Sequence, residues 1–202
     1  MSPIRKAWII ALVFAALRVA FIAHVDLAED EAYYWEWSRS LDLSYYDQGP
    51  LLAWAIRAGT DLLGTNEVGV RAPAVLGALA VSGMAIEACA VELALPALAP
   101  WMVLAFNAML LFAVGSVLMM HDSLLGLCWM AAVLAALKAR RNPRWWLLAG
   151  AAAGLGFTGK YTGVLLFLCL GLYALARPQE RQRVGRSPWF WLGGALGSLG
   201  AV

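Results

Sequence analysis

Residues 7–37 read AWIIALVFAALRVAFIAHVDLAEDEAYYWEW, and the change of character at Asp26 decides the fold class. The stretch from Ala7 to Val25 is apolar and follows Arg5-Lys6, and its length meets the roughly 20 residues that one bilayer crossing requires. It has the charge and hydrophobicity of a signal peptide, but it is long and has no small-residue cleavage site before the acidic stretch. An uncleaved first membrane helix is therefore expected.

The rest of the chain repeats this pattern. Of its 202 residues, 62% are hydrophobic and 14% are charged. The apolar residues come in long blocks, which excludes an ordinary water-soluble domain and leaves lipid as the solvent for most of the surface. Blocks between polar breaks predict helices near 7–25, 69–91, 97–119, 123–138, 145–158, 161–176 and 188–202. The expected fold is all-α, a polytopic membrane protein of about seven transmembrane helices. Val202 falls inside an apolar run, so the sequence is expected to be the front part of a longer protein. Cys89, Cys128 and Cys169 each sit within an apolar block, without metal-ligand spacing, and are expected to be packing or lipid-facing residues.

Orientation follows from the basic residues. Arg5-Lys6, then Lys138 with Arg140, Arg141 and Arg144, then Arg177, Arg181, Arg183 and Arg186 make ten of the fifteen bases. Alternation of the seven helices puts all three clusters on one side, the cytoplasmic one by the positive-inside rule. The other side receives ten of the thirteen acids: Asp26, Glu29, Asp30, Glu31, Glu36, Asp42, Asp47, Asp61, Glu67 and Asp122. With the basic clusters assigned to topology, no nucleic-acid partner is expected. The predicted location is the inner membrane, with a cytoplasmic N-terminus.

The long external loop, about residues 26–68, holds two amphipathic segments. The first, EDEAYYWEW over 29–37, sets aromatics beside acids as an interfacial helix does, and its opening acids suit the positive end of the helix dipole. The second starts at Pro50, with Leu51, Leu52, Ala55, Ile56, Leu62 and Leu63 on one broad face, and stops at Gly64. Between them lies Asp47. This arrangement predicts a pocket at the outer membrane surface, bordered by Asp30, Glu31 and Asp47 and roofed by aromatics such as Tyr33, Tyr34 and Tyr46. Paired carboxylates there would serve as a general base, a metal ligand or both, or they are simply a solvated topogenic loop.

Three further groups stand out. Asp122, after His121, caps the fourth predicted helix or faces a polar cavity, and His121 is expected to be a bystander. Lys160, among Gly154, Gly156, Gly159 and Gly163, snorkels to the headgroups or meets a lipid phosphate. Arg18, roughly 10 Å inside the first span at 1.5 Å per residue, is expected to face the bundle or pair with an acid. Arg71 pairs with a loop acid or joins the substrate contacts.

The strings Asp30-Glu31-Ala32-Tyr33-Tyr34-Trp35, Tyr45-Tyr46-Asp47-Gln48-Gly49-Pro50-Leu51 and Gly69-Val70-Arg71-Ala72-Pro73-Ala74-Val75 resemble the GT-C class of membrane glycosyltransferases. More narrowly, they resemble the branch holding protein O-mannosyltransferases and the aminoarabinose transferase of lipid A. Residues 154–163, GLGFTGKYTG, are similar to another stretch of that branch. The resemblance implies that residues 1–202 form the N-terminal part of a GT-C-like transferase domain. It implies a polyprenyl-phosphate-linked sugar donor and a lipid or protein acceptor, with transfer by inversion on the external, periplasmic face. It gives the catalytic base to Asp30 with Glu31 beside it, a supporting acid to Asp122, and contact with a divalent metal ion to Asp47. Tyr33, Tyr34, Tyr46, Gln48, Arg71 and Lys160 fall at substrate-binding positions. Where relatives carry a basic residue or His and two prolines, this chain has Gln48-Gly49-Pro50. The rival expectations are a truncated, non-catalytic membrane partner and a transporter of a lipid-linked solute.

Overall fold

A computed structural model describes residues 1–176, 181 and 184–198. Arg177, Arg183 and the end of the last predicted span lie outside the described residues. Among the described residues there is helix and no strand. The helices are α1 (Pro3–Ile22), α2 (Glu29–Arg39), α3 (Leu51–Leu63), α4 (Glu67–Glu87), α5 (Ala99–Ala108), α6 (Leu110–Gly115), α7 (His121–Ala139), α8 (Trp145–Gly159), α9 (Val164–Ala176) and α10 (Pro188–Ser198). A π-turn, Ala88–Glu92, extends α4. Two helices, Glu67–Glu92 and His121–Ala139, are long and apolar enough to cross a membrane by themselves.

The packing inverts the habit of soluble proteins, which bury their large aliphatic residues first. Here the contacts between helices are made largely by alanine. Ala7 and Ala11 of α1 meet Ala99 of α5, while Ala135, Ala136 and Ala139 of α7 meet Ala149 of α8. Large apolar side chains point outward instead, among them Leu12 and Leu17 on α1, Leu168, Leu172 and Leu175 on α9, and Trp191 on α10. Small residues inside and leucines outside suit a bundle solvated by hydrocarbon, where close backbone approach rather than the hydrophobic effect holds helices together. The closest approach joins α8 to α10. A Cβ on Gly150 would meet the carbonyl of Gly193, and one on Gly154 the carbonyl of Gly197.

Charges sort to the two ends of the bundle. At one end Lys138 of α7 pairs with Glu87 of α4 and stands over the Trp145 ring, and Arg141 reaches Glu92 at 3.8 Å. These acids are among the three that the charge pattern left on the basic side. The opposite end carries α2 and α3, packed across the start of α4.

Two details differ from the sequence reading, and a third decides between two alternatives that the sequence leaves open. The predicted third span, 97–119, is broken at Met109, whose ψ of 125° leaves helical space. No proline or glycine marks the break. Asn107 there donates its side-chain amide to the Val103 carbonyl at 2.7 Å, so a side chain enters the backbone ladder one turn earlier. On α3 the buried face is Leu52, Ala53, Ile56, Gly59 and Thr60, while Leu62 and Leu63 are exposed. The reason is Gly59: it lies against the Gly69 carbonyl, the one that Pro73 leaves without its helical N–H partner. Of the two alternatives for Arg18 the structure has the first: it faces the bundle, buried and without an acid partner among the described residues, and its Nε donates to Ser116 Oγ at 2.5 Å, between the rings of Phe14 and Phe112.

A Cβ at position 59 would lie 2.2 Å from the Gly69 carbonyl oxygen, so backbone must move to admit it. Gly59→Val is expected to cost about 1–3 kcal/mol by overpacking, measured as a lowered thermal midpoint of the detergent-purified protein.

Candidate active site

The acid end is organised by a buried ion pair. Glu31 on α2 and Arg71 on α4 are both fully buried. Arg71 donates from Nε to both carboxylate oxygens, at 2.9 and 3.1 Å, and from Nη2 to Oε2 at 2.5 Å. Its remaining donors take the carbonyls of Val25 at 2.5 Å and Asp26 at 2.8 Å, where the chain leaves α1. The carboxylate also accepts the backbone N–H of Ala28 at 3.0 Å, the reach-back of a third helical residue to its cap. It accepts the N–H of Met119, just before α7, at 2.9 Å. One side-chain pair thus joins the end of α1, the start of α2, α4 and the entry to α7. Burial raises the Glu31 carboxyl, but the hydrogen bonds from Arg71, Met119 and Ala28 outweigh it and hold the group below the usual carboxylate range.

This separates the two members of the acidic pair. Asp30 is exposed and has no hydrogen bond or ion pair among the described residues, whereas every strong contact available to Glu31 is used inside the protein. Arg71 is likewise saturated and fully buried, so its geometry is that of a structural pair with a loop acid.

Around Asp30 the helical spacing of α2 puts Tyr33, Tyr34 and Trp37 on one face. Their rings touch each other, with centroids 5.0–5.7 Å apart. Trp37 stacks flat on Tyr45 at 4.7 Å, and the Tyr45 hydroxyl accepts the Asp42 N–H at 3.0 Å and lies 3.0 Å from the carbonyls of Trp37 and Ser40. The loop after α2 is therefore pinned by aromatics, and it presents Asp47 to the Tyr33 hydroxyl at 3.5 Å. The Tyr34 hydroxyl is pushed above its ordinary value, first by burial and then by the charges of Asp30, Asp47, Tyr33 and Asp122. Three carboxylates from three parts of the chain, Asp30, Asp47 and Asp122, thus each raise the Tyr34 hydroxyl.

Asp122 is not the cap of α7. The helix begins at His121, and Ser123 accepts the Met120 N–H at 3.3 Å. Asp122 instead receives Lys160 Nζ on both oxygens, at 2.7 and 2.9 Å, across the gap between α7 and the end of α8. His121, whose spacing carried no signal of its own, is buried edge-on to the Tyr34 ring at 4.7 Å, and its Nε2 has no hydrogen-bond partner among the described residues. Trp37 and Tyr45 were also not singled out from sequence; only the 33-34-37 spacing signalled the platform. Gln48 accepts the Tyr161 N–H at 3.3 Å through its side-chain oxygen, and Gly49 packs where a Cβ would lie 2.2 Å from the Thr158 carbonyl. The Gln48-Gly49 departure from the related motif is thus a contact with the end of α8. Tyr46 points away, almost wholly exposed. No three His, Cys, Asp or Glu donors gather into a metal-sized set among the described residues.

Below Asp122 the site opens into an apolar cavity of 260 Å³ between α4 and α7, walled on its third side by Met109, Leu111 and Phe112 at the break between α5 and α6. Asp122, Ser116 and Ser123 are at its polar rim, and Ala78, Val81 and Trp129 line its depth.

The model of the family described as dolichyl-phosphate-mannose-protein mannosyltransferase matches residues 47–202, and the chain belongs to that family of glycosyltransferases. The match takes in Asp47, Gln48, Arg71, Asp122 and Lys160 and begins after Asp30-Glu31. The chain is also similar to the lipid A galacturonosyltransferase RgtD of Rhizobium johnstonii, 46% identical over 70 residues, which is 34% of this chain. It spans only 15% of that relative's length. No solved structure matches the chain.

Removing one member of a buried ion pair strands the other, at about 3–5 kcal/mol. Glu31→Gln and Arg71→Met are each expected to lower thermal stability on that scale, and the double variant by less than their sum. Because folding lowers the Glu31 carboxyl, its stabilisation is complete above its ordinary value of 4.5 and fades as pH falls through the folded value. The stability gap between the parent and Glu31→Gln should therefore be widest near neutrality and narrow in acid, read from thermal midpoints across pH 7 to 3.

Proposed function

We propose that this member of the mannosyltransferase family transfers a sugar from a polyprenyl-phosphate donor to a lipid or protein hydroxyl, at the external face of the inner membrane. One observation carries the reading: Asp122 belongs both to the charged cluster with Lys160 and to the rim of the apolar cavity. A charged head site that continues directly into a hydrocarbon slot suits an amphiphile. The isoprenoid tail would lie along α4 and α7, and the sugar phosphate would rest beneath the α2 aromatics.

In the proposed reaction Asp30 accepts the proton of the acceptor hydroxyl while that oxygen attacks the anomeric carbon. The bond from that carbon to the phosphate oxygen breaks on the opposite face, with inversion, and the lipid phosphate leaves. Asp30 suits the base because it is exposed and unengaged. Lys160 offsets the charge gathering on the leaving phosphate, exchanging Asp122 for it. Asp47, held toward Tyr33, borders the sugar. Glu31 and Arg71 support the site without touching substrate. The name of the matched relative makes galacturonic acid the first donor sugar, and lipid A the first acceptor, to test.

Asp30→Asn in the intact protein is expected to lower kcat by about 10²–10⁴, the range for losing a general base, with thermal stability unchanged. Undiminished transfer from the lipid-linked donor would refute the assignment. A second substitution reads the tail slot. Gly126 lines the cavity, and a Cβ there meets nothing within 4 Å, so Gly126→Leu should fill space without strain. It is expected to raise KM for a long-chain donor while leaving a short-chain analogue unaffected.

A further inference from the structure

A second pocket, of 440 Å³, lies between α2 and α3 and is polar where the tail cavity is apolar. It is lined by Trp35, Ser38 and Arg39 of α2 and by Arg57, Thr60 and Asp61 of α3. On α2, Trp35 and Arg39 belong to the side turned away from Asp30 and Trp37, and no residue lining this pocket belongs to the candidate active site.

Its charges do not hold the fold together. Arg39 pairs with Glu36 at 3.1 Å and Arg57 with Asp61 at 2.9 Å, each within its own helix, and all four side chains are about half exposed. Such pairs contribute little to stability and exchange readily. Arg39 engages Glu36 through Nη1 only, and its guanidinium is held 5.3 Å over the Trp35 ring. Arg57 uses only Nε, so both its Nη groups stay free of hydrogen bonds among the described residues. Two guanidinium forks from two helices thus face one space. Beside them are acceptors. Ser38 and Thr60 donate their hydroxyl protons to the carbonyls of Trp35 and Arg57, at 2.6 and 3.0 Å, so toward the pocket they offer oxygen lone pairs, as Asp61 does.

We propose that this pocket binds a phosphate ester whose alcohol carries an N–H or O–H donor. The Arg39 and Arg57 guanidinium groups take the phosphate, for which their planar forks are suited. Ser38, Thr60 and Asp61 take the ammonium or hydroxyl, and Trp35 supplies the wall. A phosphoethanolamine headgroup and a phosphorylated, hydroxyl-bearing sugar share this chemistry. The inference does not depend on the sugar-transfer reading, because no residue of that site takes part.

The test is native mass spectrometry of the detergent-purified protein, titrated with phosphatidylethanolamine and with phosphatidylcholine, which has the phosphate but no N–H donor. The expected result is tighter binding of phosphatidylethanolamine. Affinity for both lipids should fall roughly tenfold, the scale of one charge-assisted hydrogen bond, in R39Q/R57Q, which removes the phosphate contacts they share, and be unchanged in Lys6→Gln on α1. The R39Q/R57Q thermal midpoint should match the parent's, which separates lost recognition from lost folding. Soluble O-phosphoethanolamine distinguishes the sources: displacement of the lipid shows that the phosphate ester suffices, as for a soluble sugar phosphate, and no displacement shows that the pocket needs a membrane lipid. Equal binding of the two lipids by the parent, or an unchanged affinity for phosphatidylethanolamine in R39Q/R57Q, would overturn the proposal.

Discussion

The Glu31–Arg71 pair is the constraint on which the acid end of the molecule depends. A guanidinium and a carboxylate with no exposure to solvent are stable only if every donor and acceptor is used, and here they are shared among four separate segments. Arg71 fixes where the chain leaves α1, and Glu31 fixes where it enters α7. The helix that carries Glu31, α2, is then held in one rotation, which leaves Asp30 open and sets Tyr34 and Trp37 into the aromatic platform.

That rotation assigns different work to two adjacent acids. As neighbours in sequence, Asp30 and Glu31 are chemically similar, but successive helical residues are turned about 100° apart. One therefore lies under the helix against Arg71, and the other lies open beside the aromatic platform. A rigid, fully compensated carboxylate supports an unengaged one, and in the proposed reaction positioning and proton transfer fall on different side chains.

The polar and apolar halves of the candidate site also meet by design of the backbone. The break at Met109 leaves α6 short and sets Leu111 and Phe112 in one wall of the apolar cavity, while Asp122 at the head of α7 also lines it. Asp122 is free to do so because Ser123 caps the helix. Alanine and glycine contacts elsewhere hold the helices close enough that such a cavity is a local exception in the bundle.

Much of this was legible in the sequence because it depends on composition and period alone. Apolar blocks, the sorting of acids and bases, the aromatic acidic segment from Glu29, and the helix stop at Gly64 follow from local preference and solvent. Motif resemblance singled out Asp30, Asp47, Asp122 and Lys160 but not the partner of each. Lys160 on Asp122, Glu31 on Arg71 and Gly49 on Thr158 join positions tens of residues apart, and nothing in local periodicity encodes which groups meet. The break at Met109 and the rotation of α3 about Gly59 have the same origin, since each is decided by a neighbouring helix. Sequence alone determined an apolar, helical protein with its acids and bases sorted along the chain; only tertiary packing decided which carboxylate is buried as a strut and which is left exposed and unengaged, because burial belongs to the assembled bundle.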